Sequence, residues 1–121
     1  MKREINTQFF TFRQNNSGGR FRYDKNLTET VVIEAINAAD ANAKAEALGI
    51  YFDGVEGGSD CQSCGDRWDR VYDSDGTDKP MYYGDEITED YKPRYGGFGN
   101  QEEPFAYIHY YDGTKATIQG K

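Results

Sequence analysis

Cys61 and Cys64 stand three positions apart in SDCQSCGDRW, with Gly65 directly behind the second. At this C-x-x-C spacing two thiolates can grip one metal ion. A glycine in that place permits a left-handed turn that aims backbone N–H groups at the sulfurs, which is the geometry of a zinc knuckle. Zinc needs two further ligands. The chain has no other cysteine, and His109 is its sole histidine. A single chain would therefore have to add His109 and a carboxylate such as Asp60 or Asp66, whereas two chains could share four thiolates. The spacing also suits a redox dithiol, although no helix signature follows Cys61, and a thioredoxin-like pair relies on a helix N-terminus to lower its pKa. An inert turn carrying two reduced thiols is the third alternative.

Other stretches offer less. RQNNSGGR could hold an anion: Arg13, Asn15, Asn16, Ser17 and Arg20 supply cations, amides and a hydroxyl around a glycine-bearing turn. It lacks the lysine and the glycine spacing of a phosphate-binding loop, and it also reads as an ordinary hairpin turn. DSDGTD suggests calcium, but with Gly76 in the sixth position of an EF-hand loop the first ligand falls on Val71 and the twelfth on Tyr82, which defeats that reading. His109 has no nucleophile motif to serve as general base, and neither a G-x-S-x-G nor an H-E-x-x-H pattern occurs. Arg67 and Trp68, with the Tyr82-Tyr83 pair, are anchors of the kind that dominate protein interfaces.

The elements that must position these residues are mostly strands. FFTFR alternates with period two, and so does RFRY at Arg20–Tyr23. With the polar turn between them they predict a hairpin. TETVVIEA is short and β-branched, a further strand. One helix is expected from Ala38 to Leu48, capped by Asn37 and ended by Gly49, with Ala38, Ala41, Ala45 and Leu48 as a thin inner stripe. Ile50–Phe52 reads as a short strand. Arg67–Tyr72 and Lys79–Tyr83 read as a second hairpin, Gly84–Gln101 as a long loop, and Asp112-Gly113 as a tight turn between alternating segments. The expectation is one α+β domain over 1–121: a mostly antiparallel sheet with an alanine-rich helix on one face and glycine-rich loops.

Composition narrows the function classes. A formal charge of −7 in 121 residues opposes direct nucleic-acid binding and points to a basic partner surface. Ten tyrosines and seven phenylalanines imply an aromatic core with hydroxyls at its edges. No apolar run is long enough to span a membrane, and the first residues lack a signal-peptide core, so the cytoplasm is expected, with reduced thiols.

FFTFRQNNSGGRF, VVIEAINAADANAKAEALGIYFDGV and DCQSCGDRW together resemble a family of small, uncharacterised proteins encoded by tailed bacteriophages. The likeness spans Phe9 to Trp68, and no match is evident from Val71 onward. It marks Arg13, Asn15, Asn16, Cys61, Cys64, Asp66, Arg67 and Trp68 as motif positions without giving them roles. It implies an accessory protein in the cytoplasm of an infected bacterial host. With no catalytic set recognisable, the expected function is a non-enzymatic module, monomeric or homodimeric, that binds and inhibits a host protein with a basic surface (a defence protein among the candidates). The alternatives are a nucleotide-binding sponge and a small zinc-binding or redox protein built on Cys61 and Cys64.

Overall fold

A computed structural model of the chain describes residues 6–16, 19–93 and 102–120. In chain order the elements are β1 (Gln8–Arg13), β2 (Thr30–Ala35), α1 (Ala38–Leu48), a 3-10 turn (Asp73–Asp75), β3 (Met81–Tyr82), β4 (Asp85–Glu86), β5 (Ala106–His109) and β6 (Lys115–Ile118). The main sheet has the order β1-β2-β5-β6, while β3 and β4 pair on their own. Only the β2–β5 pair is parallel; the other three are antiparallel. The fold is thus α+β with a mostly antiparallel sheet and one helix, as expected.

β2 explains the layering. Val31, Val32, Ile33 and Ala35 are all buried, so both faces of this strand need cover. On one face Val31 and Ile33 join Phe10 and Phe12 of β1, Ala38, Ala41 and Ala45 of α1, Ile50 and Trp68. On the other, Val32 packs with Ile108, Ile118, Tyr82, Ile87 and Phe105. Alanine on the inner stripe of α1 keeps little side-chain bulk between helix and sheet, and Leu48 is half-buried at its end.

The ends of α1 follow the sequence closely. The Asn37 side chain accepts the Asp40 N–H (2.8 Å), and the Asp40 carboxylate accepts the Ile36 N–H (3.0 Å). Gly49 closes the helix at φ 110°, a left-handed angle that a side chain would strain. The Asp112-Gly113 turn is also present: the Tyr110 N–H donates to the Thr114 carbonyl across it (2.8 Å), joining β5 to β6.

Three expected strands do not form. Arg20–Tyr23 is irregular, and β1 pairs with β2 in its place. The Gln14 side chain holds that segment, donating to the Arg22 and Thr28 carbonyls (3.0 Å each) and accepting the Arg22 N–H (2.5 Å). At Ile50–Phe52 the Ile50 N–H is spent on the Ala45 carbonyl (3.0 Å), which leaves the helix exit no ladder to join. Arg67–Tyr72 cannot pair with Lys79–Tyr83, because the Asn42 amide takes both the Val71 N–H and the Val71 carbonyl (3.0 Å each). Met81–Tyr82 pairs instead with Asp85–Glu86, inside the stretch expected to be loop. Residues 94–101 of that loop lie outside the described residues, as does Ser17. Among the described residues no helix is long and apolar enough to cross a membrane.

Candidate functional site

The alternation that buries Phe10 and Phe12 also turns Gln14 inward, so an amide at the end of β1 enters the core and must find partners there. It meets Arg67, which is 5% exposed. The Arg67 Nη1 donates to Gln14 Oε1 (2.9 Å) and to the Arg20 carbonyl (2.5 Å), and its Nε donates to the Tyr51 hydroxyl (3.2 Å). Tyr51 in turn donates to Asp60 Oδ1 (2.5 Å), and Asp60 Oδ2 accepts the Arg67 backbone N–H (2.7 Å). The Asp60 side chain is wholly buried, and its carboxylate lies 3.9 Å from the Arg67 Nε. Burial, followed by the bond to Asp60, raises the Tyr51 pKa above 10.0 and keeps the phenol a donor. This node fixes the start of the 67–84 segment against the end of β1.

An open groove results between that segment and β1. In the register Arg13↔Thr30, the Gln14 N–H donates to the Glu29 carbonyl (2.8 Å), so even-numbered residues of β1 bond to β2 and odd-numbered ones turn their backbone groups outward. Phe9 is closed by reciprocal bonds with Thr77 (2.8 and 3.0 Å), and the Asn15 N–H by the Arg67 carbonyl (2.8 Å). Between these closures, no backbone group among the described residues meets the outer N–H or carbonyl of Thr11 or Arg13. The groove there is about 570 Å³ and is lined by Thr11, Arg13, Asp69, Arg70, Asp75 and Tyr83, among others. The Arg13 guanidinium lies 4.2 Å over the exposed Tyr83 ring, and Arg70 pairs with Asp53 at 2.9 Å. A smaller recess of about 370 Å³, reaching Phe52 and Tyr72, shares Asp69 and Arg70 with it.

The cysteine turn is tied to the same node. The Cys64 and Gly65 N–H groups both donate to the Cys61 carbonyl (3.2 and 3.1 Å), and Gly65 adopts φ 90°. The Asn15 amide donates to the Cys64 carbonyl (2.8 Å) and the Asp66 carbonyl (3.1 Å), while Asp66 Oδ1 accepts the Val55 N–H (2.9 Å). Cys61 is half-buried and Cys64 exposed, and no disulfide joins them. Hydrogen bonds from the Cys64 and Ser63 side chains and from their backbone N–H groups draw the Cys61 thiol down to about 7.

The chain matches, over residues 7–121, a family described as a domain of unknown function (DUF7296). It belongs to that family. The match runs well beyond Trp68 and includes the half of the chain from Val71 onward. No curated protein and no solved structure matches the chain.

In this DUF7296 protein several residues singled out from the sequence stand apart from where their types suggested. Arg67 and Trp68 (1% exposed) lie inside the molecule and present no surface to a partner. Tyr82 is buried too, its hydroxyl pushed up to about 12 chiefly by burial, and only Tyr83 of that set is exposed. Members of the anion-binding set make other contacts. Asn15 is committed to the cysteine turn, Arg13 lies over Tyr83, Asn16 and Arg20 are exposed, and the Arg20 carbonyl serves Arg67. His109 sits on β5 with Nε2 against the Asn26 carbonyl (2.9 Å). It does not join Cys61 and Cys64, and among the described residues no three His, Cys, Asp or Glu side chains converge as a metal site. Gln14, Tyr51 and Thr11 are the residues that sequence reasoning missed.

Proposed function

We propose that this DUF7296 protein is a non-enzymatic binding module that receives an extended segment of a partner protein along the outer edge of β1. The observation that carries this reading is the gap in that edge: among the described residues no backbone group meets the outer donor and acceptor of Thr11 and Arg13, between closures at Phe9 and Asn15. An extended peptide satisfies such groups by adding a strand, and its alternate side chains reach neighbouring pockets. Tyr83 and Arg13 supply an amphipathic anchor beside the gap. The charge of −7 favours a basic segment and makes association salt-dependent. The resemblance to small tailed-phage proteins supports a host protein as the partner and the infected cell as the setting.

Selection of random-sequence peptides on the intact chain, followed by amide-exchange mapping, tests this. Selected peptides should be rich in Lys and Arg, bind more weakly as salt rises, and slow exchange at Thr11 and Arg13. Arg13→Pro removes an outward N–H that β2 does not use and should weaken binding about five- to tenfold relative to Arg13→Ala, the worth of one main-chain hydrogen bond. Peptides that protect only other elements, or that bind Arg13→Pro and Arg13→Ala alike, would refute the reading.

A further inference from the structure

We propose that Cys61 and Cys64 form a thiol–disulfide exchange pair, with a disulfide-bearing thiol compound as substrate and an intramolecular disulfide as the oxidised form. This site is separate from the groove and does not depend on it. The bond from the Cys64 N–H to the Cys61 carbonyl (3.2 Å) makes Cys61–Cys64 a β-turn, which holds the two Cα atoms within about 7 Å. A disulfide closes across about 4.4–6.8 Å, so the ring can form with little backbone movement.

The turn supplies what a helix N-terminus supplies elsewhere. Donors aimed at a sulfur stabilise its thiolate, and here the Cys64 thiol comes first, then the Ser63 hydroxyl with its Oγ 3.3 Å away, and then the N–H groups of Cys64 and Ser63. The absence of a helix after Cys61 therefore does not remove the means of activating it. Both shoulders are anchored. Before the pair, Asp60 is buried against Arg67, and after it the Asn15 amide holds the Cys64 and Asp66 carbonyls. Cys64 is exposed, so a small disulfide can reach the turn from solvent.

The exchange balances without a further reactant. The Cys61 thiolate attacks one sulfur of the substrate disulfide, forming a mixed disulfide and expelling the other half as a thiolate, which takes up a proton. Cys64 gives up its proton and attacks the Cys61 sulfur, so the Cys61–Cys64 bond forms and the second half leaves as a thiol. The protein's dithiol is oxidised by two electrons and the substrate disulfide is reduced to two thiols.

The test uses the intact chain, oxidised glutathione and mass spectrometry. The wild type should lose two hydrogen masses with no glutathione retained, and Cys64→Ser should accumulate a single mixed disulfide at Cys61. In the wild type the rate of alkylation at Cys61 with iodoacetamide, read by peptide mass, should inflect near pH 7. At pH 7 that thiol is about half ionised against ~3% for an ordinary cysteine. The ~15-fold gain is offset about fivefold by lower nucleophilicity, so Cys61 should react roughly threefold faster than a cysteine peptide, and about sixfold faster at pH 6. Glutathione retained on both cysteines of the wild type, or an alkylation inflection at the ordinary cysteine value, would overturn the proposal. Zinc that two chains hold tightly enough to abolish the exchange would overturn it as well.

Discussion

The Arg67 guanidinium faces Gln14, Arg20, Tyr51 and Asp60 in the interior, and the Arg67 backbone N–H also donates to the Asp60 carboxylate. Its worth lies in what its loss would strand, since Asp60 would be left buried with no compensating cation. Arg67→Ala should lower the unfolding free energy by ~3–5 kcal/mol, measured by urea denaturation. Arg70→Ala, which breaks a pair whose side chains are 50% and 52% exposed, should cost less than about 1 kcal/mol. His109 carries a different consequence. Burial lowers its pKa below 6.5, with Lys115 adding to the effect and the Asn26 carbonyl opposing it. The folded chain therefore favours the neutral ring. As pH falls below 6.5 the unfolded chain takes the proton first, so stability is lost until the pH passes the folded pKa. Urea midpoints should fall between about pH 7 and pH 5, and His109→Gln should flatten that slope. Asp40 acts in a separate, lower window: the Ile36 N–H holds its carboxyl below 3.8, so its contribution is lost only as pH drops through that range.

At the scale of elements, what was legible from sequence is what local rules decide. Asn37, Asp40 and Gly49 mark both ends of α1 within a few residues, and Asp112-Gly113 bends β5 into β6 by its own turn chemistry. The partner of β1 was not legible. Alternation says which side chains share a face but not which strand lies alongside, and Arg20–Tyr23 was the nearest alternating segment. The deciding term is β2, whose side chains are buried on both faces and which therefore takes a neighbour on each edge, β1 on one side and β5 on the other. The candidate site was legible only in part. Arg67 beside Trp68 looked like a surface anchor because burial there is set by Gln14, 53 residues away. One local signal existed: Gln14 continues the inward series Phe10, Phe12 and so had to be a buried amide in need of partners. For Cys61 and Cys64 the spacing was visible, but the Asn15 side chain that fastens their turn to β1 was not.

Across the whole molecule, a central sheet covered on both faces leaves its edges as the places where backbone hydrogen bonding is incomplete. Along β1 that edge is sealed at Phe9 by Thr77 and at Asn15 by Arg67, with the groove between. Self-repulsion from a charge of −7 discourages two copies from pairing through this edge, and the flanking Arg13 and Arg70 are already engaged with Tyr83 and Asp53. The proposed binding function requires this edge to be open to a different chain. Residue-resolved amide exchange on the free protein tests this most directly. Phe9, Phe10, Phe12, Gln14 and Asn15 should exchange only through opening of the structure, while Thr11 and Arg13 between them exchange with little protection. Protection of Thr11 and Arg13 equal to that of Phe10 and Phe12 would mean that the edge is already closed, and would contradict the binding function built on it.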